Sequence, residues 1–546
     1  MTPFRSIEQD LGLGFDLGAL VEWTLVDPFV QRLANASCNH FFEPDSRRGI
    51  RVRQDGDLTC WGILPAEWRS HFERITDPAE RDRVLVELSS SPSSSPSTLP
   101  KSLESFLDTC QSLSLDRTCS LDDPVLSYPP DAPRRRCRPD PVPVPPFAPT
   151  PTPSHLKGKA KAHHTNALKA GQSPKKQHEV AQFCALVQSI LDDEPCSYCI
   201  DVGSGRAHLS RALATRPLDL HVLALDWSSS QKSGAEKIDE IRTRAELHPT
   251  VGSLTHRVSS LDERGVKHVL HEWPPAPPPR PDGADHHDEG EGQVPRREPS
   301  LLVALHACGD LTPDAIKAFT DFSVSAASTL TSAPRAVFVG CCYNLQTPSR
   351  FPLSRSMAAC VRSTVPRKKK EGQEDEDDDD AITLAHLRLT PQSPATWHTT
   401  RHASAAFRSA TSKLGYRARL EAELDANGFG TGVGARKVGR IPDCATWDEY
   451  RTKAVARIAG PAWDGCRVDD WDAALFQLRV WWTIRSWLGP PLESLVVLDR
   501  YLLLVEGLYP AGGATGGGGG PSRRVEMVNI FDQATGSLRN IALVVR

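Results

Sequence analysis

The chain has 546 residues and a formal net charge of −4, so it is long enough for about two to four domains and is neither strongly basic nor strongly acidic. Its 14 cysteines show no regular disulfide framework, its first residues lack the pattern of a signal peptide, and no uncharged stretch reaches the length of a membrane span. These features argue against a disulfide-stapled secreted domain and against a membrane protein. We expect an intracellular protein of the cytoplasm or nucleus, with no membrane partner.

Segments of low complexity divide the chain. The strongest charge runs lie in these segments and the rest is close to neutral, so charge neither favours nor excludes a nucleic-acid partner. Proline-rich and charged segments bury too little apolar surface to order themselves. The composition predicts a helical N-terminal region at 1–125, a disordered Pro-rich basic linker at 126–172, an alternating strand and helix region at 173–350 with a disordered insert at 272–297, a disordered charged segment at 362–380, a helical insert at 381–470, and C-terminal helices with a closing β-hairpin at 471–546.

Strands and helices alternate in the middle of the chain. This rhythm predicts an α/β fold, with a Rossmann-like parallel sheet covered by helices on both faces and closed by the C-terminal hairpin. The helical segment at 467–489 is expected to pack against the sheet, with Trp481, Trp482 and Trp487 in the core. The predicted parallel strands are CSYCIDV (196–202), LDLHVLALD (218–226), THRVSSLD (255–262), LLVALHA (301–307) and AVFVGCC (336–342).

The loop after the first strand carries the most informative short motif. In DVGSGRAHLSR (201–211), Gly203 and Gly205 allow a tight turn and a close approach of a ligand to the backbone. A dinucleotide fingerprint needs a third glycine where His208 stands, and this disfavours a nucleotide-dependent oxidoreductase. The spacing D-x-G-x-G-x-A instead resembles the first motif of the S-adenosylmethionine-dependent methyltransferases. A glycine turn of another α/β protein is the alternative.

A carboxylate closes the second predicted strand. Asp226 follows Asp201 by 25 residues, at a place where a carboxylate can accept hydrogen bonds from both ribose hydroxyls of a nucleoside. The alternative is an ordinary aspartate at a strand end or helix cap.

Four motifs in order carry a closer resemblance. SPKKQHEV (173–180), DVGSGRAHLSR (201–211), LHACGDL (305–311) and VGCCYNL (339–345), the last followed by FPLS (351–354), resemble the methyltransferase-like protein 25 family, also described as ribosomal RNA adenine dimethylase domain-containing. The likeness extends to segments near both ends of the chain. It implies a class I methyltransferase domain in the alternating region, with S-adenosylmethionine as the cofactor.

The resemblance also implies roles for individual residues. Lys176, His178 and Glu179, on the helix that enters the first strand, are expected near the methionine end of the cofactor, a solvated helix start being the alternative. Asp262, after the third strand, is a candidate to face the adenine amine, with a purely structural role as the favoured alternative. In the implied cofactor site Gly203 and Gly205 line the loop, Asp201 binds the methionine ammonium and Asp226 binds the ribose.

The fourth and fifth predicted strands end in reactive side chains: His306 and Cys308, then Cys341 and Cys342. Three interpretations apply: zinc ligands, a cysteine nucleophile, or the rim of an acceptor pocket. Neighbouring strand residues point to opposite faces, so Cys341 and Cys342 converge only if the strand has already ended. We expect no metal here, and cysteines that act as small buried apolar groups.

The same two strand ends are expected to hold the methyl acceptor. Methyl transfer needs alignment and removal of a proton from the acceptor. His306 or Asp310 is the predicted base, with a core histidine as the alternative for His306, and Tyr343 is expected to pack against a planar acceptor.

The residues after the fourth strand bear on the class of acceptor. Adenine amine methyltransferases usually carry an Asn/Asp-Pro-Pro-aromatic turn there, whereas this chain has HACGD (306–310), which argues against adenine dimethylation. A family of tRNA 2′-O-methyltransferases has a similar His-x-Cys-Gly. We expect an RNA acceptor, through base or ribose, with a protein side chain as the alternative. A catalytically silent methyltransferase-like fold that acts as an interaction module is the remaining alternative.

Overall fold

The computed structural model describes most of the chain. Large parts of the predicted disordered segments, namely 130–171, 274–297 and 367–379, lie outside the described residues. The described residues are 15–45, 49–53, 60–90, 97–121, 123–129, 172–244, 252–273, 298–326, 330–366, 380–428, 438–439, 441, 444–458, 465–509, 523–533 and 537–546.

The regular elements occur in every region of the chain that was predicted to be ordered. The strands are β1 (Phe42–Asp45), β2 (Gly49–Val52), β3 (Leu126–Tyr128), β4 (Tyr198–Val202), β5 (His221–Asp226), β6 (Ser253–Val258), β7 (Ser300–Cys308), β8 (Arg335–Cys341), β9 (Arg467–Val468), β10 (Val525–Asn529) and β11 (Ile541–Val545). The helices are α1 (Leu17–Leu25), α2 (Pro28–Asn35), α3 (Ala66–Glu73), α4 (Pro78–Ser89), α5 (Lys101–Ser112), α6 (Pro174–Asp193), α7 (His208–Leu213), α8 (Ser229–Arg244), α9 (Glu263–Glu272), α10 (Leu311–Ser325), α11 (Arg355–Thr364), α12 (Leu384–Leu389), α13 (Arg401–Ala426), α14 (Trp447–Val455), α15 (Trp471–Ser486) and α16 (Gly489–Leu508).

An eight-stranded sheet organises the fold, in the order β3-β10-β11-β8-β7-β4-β5-β6. The five strands from β8 to β6 are parallel, and β10 and β11 form an antiparallel hairpin in which β11 pairs with β8. All residues of β8 are buried, as expected for a strand covered on both faces. The predicted Rossmann-like α/β sheet and its closing hairpin are therefore confirmed.

The side chains of alternate strand residues pack into two apolar cores, one on each face of the sheet. Leu301 and Val303 of β7 pack with residues of α6 and α7. Leu302 and Ala304 pack on the opposite face with residues of α9, α10 and α16. Helices on both faces position the carboxyl ends of the parallel strands along one edge, where ligands of such sheets bind.

A third core belongs to a helical lobe, which we define as α2 to α5, α13 and α15. It joins the N-terminal region to the insert before the hairpin, and Trp481 and Trp487 are buried in it, with Trp482 packed beside them. The prediction that these tryptophans lie in a core is confirmed. The prediction that their helix packs against the sheet is wrong, because α15 faces the N-terminal helices and α16 covers the sheet instead.

Two segment boundaries also differ from the sequence prediction. The linker predicted from residue 126 begins later, since β3 pairs antiparallel with β10 at the edge of the sheet. A strand of three residues is too short to show its own periodicity, and its partner is distant in sequence. Helix α11 continues to Thr364, inside the segment predicted to be disordered from 362. Within the described ranges, every helix falls short of the length and apolar character that a bilayer crossing requires.

Candidate active site

The cofactor edge, defined as residues 203–207 and the end of β5, begins with a loop of left-handed residues. Gly203 (φ 75°), Gly205 (φ 54°) and Ala207 (φ 55°) all have positive φ. The Gly203 and Ser204 amides donate to the Leu225 carbonyl at 2.9 and 3.0 Å, which holds the loop against β5. No atom lies within 4 Å of the position that a Cβ on Gly205 would occupy. A ligand can therefore approach the backbone at Gly205.

Asp226 ends β5 directly beside this loop. Its carboxylate is buried and accepts hydrogen bonds from the amides of Gly205 and Ser228, each at 2.9 Å. These bonds fix its orientation. Because an ionised carboxylate has about four lone-pair sites, two further donors can still bind. The geometry fits the predicted role of Asp226 as a ribose ligand.

An apolar pocket lies beyond the ends of β5 and β6. Trp227 is 73% exposed and Val258 is 42% exposed, although both are large apolar residues. Asp262 caps α9 by accepting from the Gly265 amide at 2.8 Å. This bond and the hydrogen bond from Ser260 hold the pKa of Asp262 below its ordinary value. The pocket is lined by Trp227, Val258, Ser259, Ser260, Leu261, Asp262, Leu311 and Asp314.

The predicted methionine end gathers around Asp201. This carboxyl is buried and accepts from the Ser210 hydroxyl at 2.5 Å. Burial raises the pKa of Asp201 to about 6, and the hydrogen bond from Ser210 and the charge of Lys176 oppose this rise. Burial likewise lowers the pKa of Lys176, against the charges of Glu179 and Asp201. Lys176 and Asp201 are therefore close enough for their charges to interact, and their roles at the cofactor stay predictions. The role of His178, whose Nε2 is buried, stays a prediction.

Glu179 lies within hydrogen-bond distance of His306. Its carboxylate is buried and lies 3.2 Å from the Nε2 of His306, whose side chain is partly exposed. Burial alone would raise the pKa of Glu179, but the hydrogen bond and charge of His306, together with Lys175 and Lys176, outweigh it and leave the pKa below its ordinary value. A histidine held through Nε2 by a carboxylate has its Nδ1 available as a proton acceptor.

Asp310 has partners of its own in the neighbouring turn, and its role as a base stays a prediction. Its carboxylate accepts from the Thr347 hydroxyl at 2.6 Å and from the Thr347 amide at 3.2 Å, and it lies 3.7 Å from Arg350. These contacts connect the turns that follow β7 and β8. Asp310 therefore braces the two turns, and of the two predicted bases only His306 has a carboxylate partner that orients it.

Tyr343 corrects a second expectation. The residue is fully buried, and its hydroxyl lies 3.3 Å from the Gly340 carbonyl. Its ring lies 4.7 Å from the Arg500 guanidinium. Burial raises the pKa of Tyr343 above its ordinary range. The prediction that Tyr343 packs against a planar acceptor is wrong, because the chain turns at Cys342 and directs the ring into the protein.

Sequence analysis missed Arg500. This buried residue of α16 donates to the Gly309 carbonyl at 3.2 Å and to the Gln346 side chain at 2.8 Å, so it joins the turns after β7 and β8. A Cβ on Gly340 would lie 2.5 Å from its NH1, which explains a glycine at that position. The neighbouring Asp499 accepts from the amides of Leu353 and Ser354. The available signal was the adjacent pair Asp499 and Arg500 inside the apolar run LVVLDRYLLLV (495–505).

Three cysteines converge at the ends of β7 and β8. Cys341 pairs in register with Cys308, and their sulfurs lie 3.2 Å apart. Cys342 has left the strand, with a φ of 47°, and its sulfur joins the same cluster within 4.8 Å. Strand β8 ends at Cys341, so the condition under which Cys341 and Cys342 were expected to converge is met. We call these turns, residues 306–311 and 341–347, the acceptor edge.

The comparison with protein families agrees with this geometry. Residues 175–348 match the model of a family described as a methyltransferase domain, a range that runs from α6 through the acceptor edge and supports a methyltransferase. No solved structure matches the chain. The matched range contains both edges of the site, whereas α16 and the closing hairpin lie outside it. The narrower resemblance to the methyltransferase-like protein 25 family stays a prediction.

Proposed function

We propose that the protein is an S-adenosylmethionine-dependent methyltransferase whose acceptor is RNA, through a ribose hydroxyl. The observation that carries the proposal is that the Glu179–His306 pair lies at the same edge of the sheet as a glycine loop and the carboxylate of Asp226. The family match to a methyltransferase domain supports the reaction class. The acceptor is inferred from the chemistry of the acceptor edge.

The residues of the cofactor edge fit S-adenosylmethionine. Gly205 leaves its backbone open, Asp226 has lone pairs for the ribose, and the pocket at Trp227 offers an apolar surface to the adenine. The buried Asp201 and the partly buried Lys176, whose charges influence each other, suit the ammonium and carboxylate of the methionine part. When bound, the cofactor supplies an electrophilic methyl group on its sulfonium.

A ribose hydroxyl is the acceptor that makes the best use of His306. A hydroxyl oxygen is a weak nucleophile and needs a positioned base to take its proton. With Nε2–H donating to Glu179, the Nδ1 of His306 accepts that proton, and the Glu179 carboxylate stabilises the imidazolium that forms. The stretch HACG (306–309) also resembles the tRNA 2′-O-methyltransferases at this position.

The test measures cofactor binding and acceptor class separately. Calorimetric titration with S-adenosylmethionine, with NAD as the control ligand, is expected to give binding for the first and none for the second. Methyl-labelled cofactor is then incubated with total RNA, with DNA, and with an extract freed of nucleic acid. Label in RNA that appears as 2′-O-methylnucleosides after nuclease digestion is the expected result.

Each contrary result has a defined meaning. Label in modified bases or in protein would overturn the ribose acceptor while leaving the methyltransferase intact. Failure of S-adenosylmethionine to bind the folded protein would overturn the enzyme altogether and favour an interaction module.

A further inference from the structure

The cluster of Cys308, Cys341 and Cys342 has the arrangement of a ligand set for a metal ion. All three sulfurs lie within 4.8 Å of one another, and this is the single group of that kind among the residues that the structure describes. Cys341 is buried, whereas Cys308 and Cys342 are partly exposed. The cluster is therefore open to an ion from the side of these two partly exposed residues.

The backbone presents these sulfurs through two separate features. The β7–β8 ladder is irregular between Ala304 and Ala307, and after it Cys308 lies opposite Cys341. The left-handed conformation of Cys342 then turns its side chain back to the same side. A non-glycine residue in this conformation costs roughly 1–2 kcal/mol, so the fold holds the third thiol in place against a local preference.

A positive charge lies beside the cluster. Arg539 is close enough to act electrostatically on Cys308 and Cys342, and so is His306 on Cys308. In the described part of the chain, no hydrogen-bond acceptor reaches the buried Nε of Arg539. Such a guanidinium group is best compensated by an anionic neighbour.

We propose that Cys308, Cys341 and Cys342 bind a soft metal ion, with Zn²⁺ as the ion to test. Thiolates favour such ions, and three protein ligands leave one of the four tetrahedral positions for a water molecule. On binding, the three thiols release their protons to solvent, and a divalent ion with three thiolates carries one net negative charge. Arg539 lies where that charge is compensated.

The spacing favours a metal over a disulfide. Tetrahedral bonds of about 2.3 Å to zinc place two sulfurs about 3.8 Å apart, so the 3.2 Å between Cys308 and Cys341 has to widen slightly. A disulfide requires the same pair to close to about 2.05 Å. It also leaves the third sulfur, that of Cys342, without a role. The metal ion would tie the end of β7 to the end of β8, next to His306.

The test reads metal binding without reference to activity. The full-length protein is stripped with a chelator under reducing conditions, incubated with Zn²⁺, desalted and measured for zinc by mass spectrometry. One zinc per chain and a higher melting temperature with Zn²⁺ are expected. Cobalt substitution should give the sulfur-to-metal charge-transfer absorption of thiolate ligation.

Variants separate this site from adventitious binding by other cysteines. Cys308→Ser and Cys342→Ser, at partly exposed positions, should each lower zinc affinity by more than about 100-fold, because they remove direct ligands. Cys119→Ser, at an exposed cysteine outside the cluster, and Cys360→Ser, at a buried one, should retain one zinc.

Two results would overturn the proposal. One is a folded, reduced wild-type protein that takes up no zinc or cobalt, or takes up as much as the double variant Cys308→Ser/Cys342→Ser. The other is a Cys308–Cys341 disulfide that forms when the reduced protein is exposed to air with Zn²⁺ already present, detected by peptide mapping. Neither result depends on S-adenosylmethionine binding or methyl transfer, so it leaves the proposed function unaffected.

Discussion

The cofactor edge and the acceptor edge lie side by side but are held in place in different ways. At the cofactor edge, backbone amides of a short stretch bind Leu225 and Asp226, and the stabilising contacts are local in sequence. At the acceptor edge, Arg500 reaches the Gly309 carbonyl across 191 residues. A short motif is therefore enough to predict the backbone geometry of the cofactor edge. The geometry of the acceptor edge depends on a helix outside the matched domain.

The largest effect at the cofactor edge is expected from a substitution that fills the open space next to the backbone at Gly205. Gly205→Leu should abolish S-adenosylmethionine binding in a calorimetric titration, because the side chain occupies the space above the backbone. The chain should stay folded, since no atom lies within 4 Å of the new Cβ and the left-handed φ costs only about 1–2 kcal/mol. Gly428→Leu is the matched control, with a φ of 73° and equally open surroundings. Unchanged affinity in the Gly205 variant would disprove the site.

A substitution at the acceptor edge should lower the rate of methyl transfer and leave the affinity for the cofactor unchanged. His306→Ala is expected to lower kcat for methyl transfer by about 100-fold, the usual contribution of a positioned base, while S-adenosylmethionine affinity changes less than about twofold. The control is His221→Ala, because His221 begins β5 and lies at the other end of that strand from Asp226. This variant should leave both kcat and cofactor affinity unchanged. Full turnover by the His306 variant would place the proton acceptor elsewhere.

The same contrast explains which features were predictable from sequence. The parallel strands are near-continuous apolar runs, and Gly203, Gly205 and Asp226 follow them at short, recognisable spacings. The partners of Asp310 and Tyr343, namely Thr347 and Arg500, could not be predicted because turn geometry and a distant helix set them. Periodicity within one strand gives no information about such partners.

Replacing Arg500 of α16 tests whether this distant residue positions the acceptor edge. Arg500→Met should lower the free energy of unfolding by about 3 kcal/mol, because it strips a charged donor from the Gly309 carbonyl and the Gln346 side chain. Methyl transfer per folded molecule should fall about tenfold through misalignment, with cofactor affinity retained. Arg485→Met is the matched control: Arg485 is a buried arginine that binds two carbonyls in the helical lobe. Equal loss of transfer in both variants would contradict a specific role for Arg500.

Asp201, in β4 just before the cofactor edge, offers a pH-dependent test of the burial of its carboxyl. Its pKa is raised to about 6 in the folded protein, above the unfolded value of about 3.9, so its contribution to stability is full below pH 4 and is lost as pH rises through about 6. Asp201→Asn removes this loss. In urea unfolding without cofactor, the variant should gain about 2 kcal/mol relative to wild type between pH 4.5 and pH 7.5. A stability difference that is independent of pH would show that the buried carboxyl is not destabilised by burial.

The smallest expected effect concerns Ala207, the alanine that stands where related motifs have a third glycine. Its φ of 55° costs roughly 1–2 kcal/mol in an alanine, and glycine would relieve that cost. Glycine would also lose about 0.5–1 kcal/mol in chain entropy and about 0.8 kcal/mol from one buried methyl group, because Ala207 packs fully buried against Ala224 and Ala235. These terms nearly cancel, so Ala207→Gly should change the free energy of unfolding by less than about 1 kcal/mol and leave cofactor affinity intact. Ala224→Gly loses the same methyl group from the same cluster in an ordinary strand conformation, so it should cost about 1–2 kcal/mol. If both variants were equally destabilised, the left-handed backbone at Ala207 would carry no strain, and the tolerance of alanine in this loop would need a different explanation.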